Sequence, residues 1–145
     1  MKLYFYKTNE EYGCFSNFSK HGFELKGKYW LTSEHYFQAM KFESTKYEEE
    51  IRLLPSPMDV AIKGRDRKLP LRNDWEDVKD NIMREAVLAK FQANDDIKEI
   101  LLNTENREIV EQTTNDYYWG CGTKGTGKNM LGKILMEVRE ILKNQ

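Results

Sequence analysis

The segment WGCGTKGTGKNMLGKILMEVREILK, residues 119–143, decides the fold class. Within it Gly122, Gly127 and Lys128 fall at the G-x-x-x-x-G-K spacing of a nucleotide-binding P-loop, a motif that follows a buried strand. Two features turn that reading aside. The residue after Lys128 should carry a hydroxyl for magnesium, and it is Asn129. The lead-in TTNDYYWG, residues 113–120, is polar and aromatic, unlike a central strand. Beyond Asn129 the chain is helical: Leu131, Ile134, Leu135, Val138, Ile141 and Leu142 repeat as i, i+3, i+4, i+7, one apolar stripe. The loop itself keeps two readings. Glycines reach left-handed conformations, so successive N–H groups can converge on an anion at the helix N-terminus, with Lys124 and Lys128 adding charge. Equally, such a loop can be a turn that only positions the last helix.

Outward from that segment, the chain reads as a run of short helices behind an irregular start. LYFY and KYWL read as strands, with EEYGCFSNFS a loop between the first strand and the FELKG turn. From Thr32 the character changes. TSEHYFQAMKF opens on hydroxyl residues able to cap free N–H groups and contains no Gly or Pro. Thr45 and Glu48 make a capping box for a second helix, and Ser56-Pro57 with Asp59 opens a third that stops near Gly64. GRDRKLPLRND, residues 64–74, is a basic connector. Asn73 with Glu76 marks the next start, and Trp75, Val78, Ile82, Ala86 and Ala89 continue at helical spacing to about Phe91. DDIKEILLNT is helical and REIVEQT a strand. The expectation is a mainly α, α-rich α+β fold: one compact helical domain over residues 1–145 with a small irregular β-sheet.

Composition narrows the function classes. The 145 residues carry 23 basic and 24 acidic side chains, a net charge of −1, so no global field draws the chain to nucleic acid or to a membrane. Cys14 and Cys121 lie far apart, which fits a reduced, cytoplasmic protein better than a disulfide framework. No signal-peptide pattern and no run of about 20 apolar residues is present. With two histidines and no clustered thiols, no metal site is expected, and no cofactor is implied.

On the first helix, at ~100° per residue, Glu34, Gln38 and Lys41 share one narrow sector while Tyr36 and Met40 face the other way. Such a stripe is either a solvated surface, the default for Glu, Gln and Lys, or the wall of a polar pocket; Phe37 and Phe42 beside it stand against the default. His35 points elsewhere, as a hydrogen-bonded structural histidine. Trp75 can stack on a base or anchor the core. Asp116 can be a catalytic carboxylate or a turn-forming Asp. Arg65, Arg67 and Arg72 can clamp a phosphate or be solvated loop charges.

Taken together, YGCFSNFS, TSEHYFQAMKF, SPM followed by GRDR, LRNDWEDVKDNIMREAVLAKF and NDYYWGCGTKGTGKNMLGKILMEVRE resemble the YbiA-like, or NADAR, family in order and across nearly the whole chain. The resemblance implies a mainly helical N-glycosidase. Its YbiA-type members hydrolyse the ribosyl C–N bond of early phosphoribosylamino-pyrimidine intermediates of riboflavin biosynthesis, removing reactive metabolites. Other members remove ADP-ribose from guanine in nucleic acid. By matching motif, Glu34, Trp75 and Asp116 would be functional, with Lys41 a further candidate. Arg65, Trp119, Gly125, Gly127, Lys128 and Asn129 would bind substrate, as would Asn17 and Phe18. The implied partner is a small phosphoribosyl substrate or ADP-ribosylated nucleic acid; a non-catalytic binder of ADP-ribose or NAD is the reading from another class. In the implied chemistry Glu34 stabilises the cation at C1′, and Asp116 activates water or holds a ribose hydroxyl, the two being exchangeable. Trp75 walls the base, and the glycine loop, Lys128 and Arg65 take the phosphate. Lys41 opens a separate route through a Schiff base at C1′.

Overall fold

In the computed structural model, which describes residues 1–145, the element order is β1 (Lys2–Phe5), β2 (Phe23–Leu25), β3 (Lys28–Trp30), α1 (Ser33–Met40), α2 (Lys46–Arg52), α3 (Pro57–Gly64), α4 (Trp75–Ala93), α5 (Asp95–Leu102), β4 (Glu108–Glu111) and α6 (Met130–Lys143). A short 3-10 turn, Gly13–Phe15, comes after β1. The α-rich reading holds. The strands form two separate two-stranded sheets rather than one: β1 pairs β4 in parallel, and β2 pairs β3 antiparallel. The chain forms two compact units, residues 20–93 and residues 1–19 with 94–145.

In the unit of residues 20–93, helix starts arise from local chemistry. Thr32 Oγ1 accepts from the His35 N–H at 3.1 Å, and Ser56 Oγ from the Asp59 N–H at 3.2 Å. At α2, Thr45 Oγ1 caps the Tyr47 N–H, while Glu48 reaches the N–H of Ser44, one residue before the position a capping box uses. At α4 the Asp74 carbonyl accepts the N–H groups of Asp77 and Val78, and its carboxylate is held by Arg72. All eight residues of α1 are buried, because α2, α3, α4 and β3 pack around it. Trp30 and Tyr36 meet edge to face with centroids 5.0 Å apart, and their polar ends are satisfied by the Leu25 carbonyl and by Glu85. His35 is structural: Nε2 donates to the Leu54 carbonyl, which leaves Nδ1 to accept the Thr32 hydroxyl. Burial lowers its pKa.

In the other unit, α6 lies on β4 and α5 lies on α6. The apolar stripe is buried at Leu131, Ile134, Leu135, Val138 and Leu142. Ile141, about 80° from the centre of that stripe at ~100° per residue, is 45% exposed. Arg139 crosses from α6 to bond Thr104 Oγ1 and the Arg107 carbonyl, each at 2.9 Å. Gly132 admits the close approach of α6 to β4, since a Cβ there would overlap the Ile109 carbonyl. No helix is long and apolar enough to cross a membrane.

Candidate active site

The polar stripe on α1 is not a solvated face. Glu34 is 6% exposed and Gln38 3%, so the surface reading is replaced by a buried polar wall. Residues 34 and 38 are one turn apart, and Gln38 Nε2 donates to Glu34 Oε2 at 2.8 Å. Lys41 caps the end of α1, and its Nζ donates to the Gly64 carbonyl at 3.1 Å. The same ammonium lies 5.7 Å from the centre of the Trp75 ring and 6.0 Å from that of Phe37. Those two rings meet at 5.0 Å, so Trp75, first residue of α4, is both packed in the core and a wall of this cluster. Burial pushes the Lys41 pKa down; Glu34 opposes that shift and the guanidinium of Arg65, itself exposed, adds to it. A carboxylate, an amine of lowered basicity and two aromatic faces thus sit within residues 20–93. A carboxylate there can stabilise a developing cation or orient water. A neutral amine there is a nucleophile.

The arginines of the connector divide. Arg72 is engaged by Met40 O, Glu43 and Asp74, and its backbone N–H donates to the Lys41 carbonyl at 3.0 Å. It ties the end of α1 to the start of α4. Arg65 and Arg67 are exposed.

In the unit of residues 1–19 and 94–145, Asp116 Oδ1 accepts from the N–H groups of Tyr118 and Trp119 at 2.9 and 2.8 Å. That is the turn-forming use of an Asp, and it sets the lead-in to the glycine loop. Trp119 is half-buried and packs edge to face on Tyr118 at 4.9 Å; Lys128 Nζ lies 5.2 Å from the Tyr118 ring. Asn17 and Phe18 are half-buried, in the turn where the Phe18 N–H meets Ser16 Oγ.

The glycine loop differs from an anion cradle. Most of its N–H groups are taken by the loop's own surroundings. Cys121 donates to the Glu111 carbonyl, Gly122 to Thr113 Oγ1, Thr123 to the Thr114 carbonyl and Lys124 to the Tyr117 hydroxyl. Gly125, Gly127, Lys128 and Asn129 donate to the carbonyls of Gly122, Cys121, Tyr117 and Gly120. Even the first N–H groups of α6, on Met130 and Leu131, donate to Tyr118 and Trp119. The side chain of Asn129 is engaged too: Oδ1 accepts the Glu111 N–H at 2.9 Å, and Nδ2 donates to the Ile109 carbonyl at 2.8 Å. Gly125, at φ +72°, holds the loop tip in a conformation other residues resist, and Gly127 is pressed against the Gly120 carbonyl. The loop is a folded turn that positions α6, and side-chain cations are its main means of attracting an anion. Sequence reasoning placed Gln38 in the polar stripe without a role of its own and did not see Gly64 beneath it; the i, i+4 spacing of Glu34 and Gln38 was the available signal.

Comparison with known proteins matches nearly the whole chain. The NADAR domain model covers residues 4–143. The N-glycosidase YbiA of Escherichia coli (strain K12) is 53% identical over 138 residues, which span 95% of this chain and 86% of that protein. The NMR structure of the E. coli protein YbiA superposes with a TM-score of 0.91 at 50% identity, covering 99% of this chain and 88% of that one. The chloroplastic riboflavin biosynthesis protein PYRR of Zea mays is 40% identical over 154 residues, 95% of this chain but 25% of that protein. With one family model running almost end to end and half the residues shared over nearly the full length, this chain belongs to the NADAR domain family.

Proposed function

We propose that this protein, an N-glycosidase like its half-identical relative, hydrolyses the ribosyl C–N bond of an early phosphoribosylamino-pyrimidine intermediate of riboflavin biosynthesis. The substrate class is supported by a relative named for riboflavin biosynthesis. The observation that carries the chemistry is the buried Glu34 and the half-buried Lys41, whose ammonium lies against the rings of Trp75 and Phe37. As the C1′–N bond breaks, positive charge grows at C1′ and the ring oxygen, and the bonding pair leaves with nitrogen. The Glu34 carboxylate stabilises that cation where low local polarity strengthens the attraction. Water adds its oxygen to C1′, one proton goes to the departing amine, and ribose 5-phosphate and a free aminopyrimidine result. Trp75 borders the base, and Arg65 supplies charge for the phosphate, binding energy remote from the reacting bond. Asp116, Trp119, Lys128, Asn17 and Phe18 remain proposed substrate contacts through the family resemblance.

Incubation of the purified protein with the phosphoribosylamino-pyrimidine should release ribose 5-phosphate. Glu34→Gln should lower kcat by about 10²–10³-fold or more, the range seen when preorganised charge stabilisation is removed, while the far-UV spectrum is retained. Turnover of ADP-ribosylated DNA in place of the pyrimidine would overturn the substrate reading. Near wild-type turnover by Glu34→Gln would overturn the role of Glu34.

A further inference from the structure

Gln38 lies between the proposed catalytic carboxylate and α3. Its Nε2 holds Glu34 Oε2 at 2.8 Å, while its Oε1 is buried with no hydrogen-bond partner. An unmatched buried acceptor costs stability, and a methionine of similar length would fill the space without it. Gly64 is the reason the amide fits. A Cβ at Gly64 would overlap Gln38 Oε1 and Cδ and crowd its Cβ, so any larger residue displaces the amide from Glu34. The Gly64 carbonyl meanwhile receives Lys41 Nζ at 3.1 Å. One glycine at the end of α3 thereby sets both members of the reactive pair: the amine directly, the carboxylate through Gln38.

We infer that Gln38 is a positioning residue, seated by Gly64, whose amide fixes the Glu34 carboxylate in the orientation that C–N cleavage requires. The inference rests on the proposed role of Glu34 in stabilising the cation. It acts on the transition state more than on substrate binding, because a carboxylate turned away still leaves the base and phosphate contacts intact. Misplacing a catalytic group by about 1 Å costs ~10²-fold in rate.

Two variants reach the same bond from opposite sides. Gln38→Met removes the donor and keeps the bulk; Gly64→Ala keeps the donor and pushes it off. Both should lower kcat by about 10- to 100-fold on the phosphoribosylamino-pyrimidine, with KM within about twofold of wild type, the signature of an interaction made in the transition state. A second readout is independent of turnover. The side-chain amide resonances of Gln38, identified by their loss in Gln38→Met, should shift in Gly64→Ala and in Glu34→Gln in a ¹⁵N spectrum. Wild-type kcat in both variants, a rise in KM with kcat unchanged, or amide resonances unmoved by Glu34→Gln would each overturn the inference. A wild-type protein inactive on this substrate, with the resonances moving as described, refutes the substrate reading and leaves the clamp standing. Should Gln38→Met fail to fold, Gly64→Ala and the spectrum of Glu34→Gln still decide.

Discussion

Asn129 is the residue where a P-loop would carry a hydroxyl, and its replacement tests what the loop is for. Parallel strand β4 uses one edge to pair with β1. On its other edge, the Ile109 carbonyl and the Glu111 N–H meet the Asn129 side chain at 2.8 and 2.9 Å, so one amide stands in for a neighbouring strand. Asn129 is 8% exposed and sits in the left-handed region at φ 55°, which Asn tolerates better than most residues. Asn129→Ala removes both partners. Each orphaned buried group costs ~1–3 kcal/mol, and Ala in a left-handed conformation adds ~1 kcal/mol. The expected loss is about 3–7 kcal/mol, equivalent to a fall in Tm of roughly 10–20 °C for a chain of this size.

Asn129→Gly separates the two contributions. It removes the same hydrogen bonds without the left-handed strain, although Gly loses more backbone freedom on folding. It should therefore be the less damaging of the two, by up to about 1 kcal/mol. Urea unfolding followed by tryptophan fluorescence gives both values, provided m is unchanged, which keeps the comparison a statement about stability. If Asn129→Ala unfolds within about 0.5 kcal/mol of wild type, in the range of an ordinary surface change, the amide is not bridging β4 and the loop is free for another task.

Two further tests concern Lys41. Burial holds its pKa below the usual 10.5, with Glu34 opposing and Arg65 adding. Between the folded pKa and 10.5 the unfolded chain binds more protons, so this group makes stability rise with pH across that window and costs stability below it. Lys41→Met should lack the rise: urea unfolding from pH 7 to 10 should show wild type gaining on the variant, and a constant difference refutes the shift. Borohydride added during turnover tests the amine as nucleophile. A Schiff base at C1′ would be reduced to a stable secondary amine on Lys41, visible by peptide mass spectrometry; an unmodified Lys41 after full turnover excludes that route.

The helix starts were legible because a cap is chemistry within four residues: Thr32, Thr45 and Ser56 each bond the N–H groups their positions imply. The stripe of Glu34, Gln38 and Lys41 was legible as a stripe, but its burial was not. Glu, Gln and Lys read as surface residues, and only the closing of α2, α3, α4 and β3 around α1 makes Glu34 and Gln38 interior and Lys41 half-buried. Parallel pairing of Leu3 with Ile109 joins residues more than a hundred positions apart, which no local pattern encodes. The glycine loop marks the harder limit. Sequence can show that Gly122 and Gly125 permit φ values above +70°, yet whether the N–H groups face a ligand or a neighbouring carbonyl depends on where Tyr117, Gly120 and Thr113 are placed.

Placing polar side chains on the most buried helix of residues 20–93 has a physical consequence for catalysis. Gln38 Oε1 lacks a partner, and partial burial disfavours the charged form of Lys41. An apolar α1 would pack at lower cost. What burial gives in return is field strength: attraction between a carboxylate and a cation at ~4 Å rises from about 1 kcal/mol in water to about 4 kcal/mol at the effective polarity of a protein site. That gain is realised only if the groups cannot turn away as charge develops. Here the restraint is built from backbone. Arg72 fixes the end of α1 through the Met40 and Lys41 carbonyls, the Gly64 carbonyl fixes the Lys41 amine, and Gly64 seats the amide that fixes Glu34. Each anchor is local to residues 34–72, so the reactive pair is preorganised by its own unit before any substrate arrives.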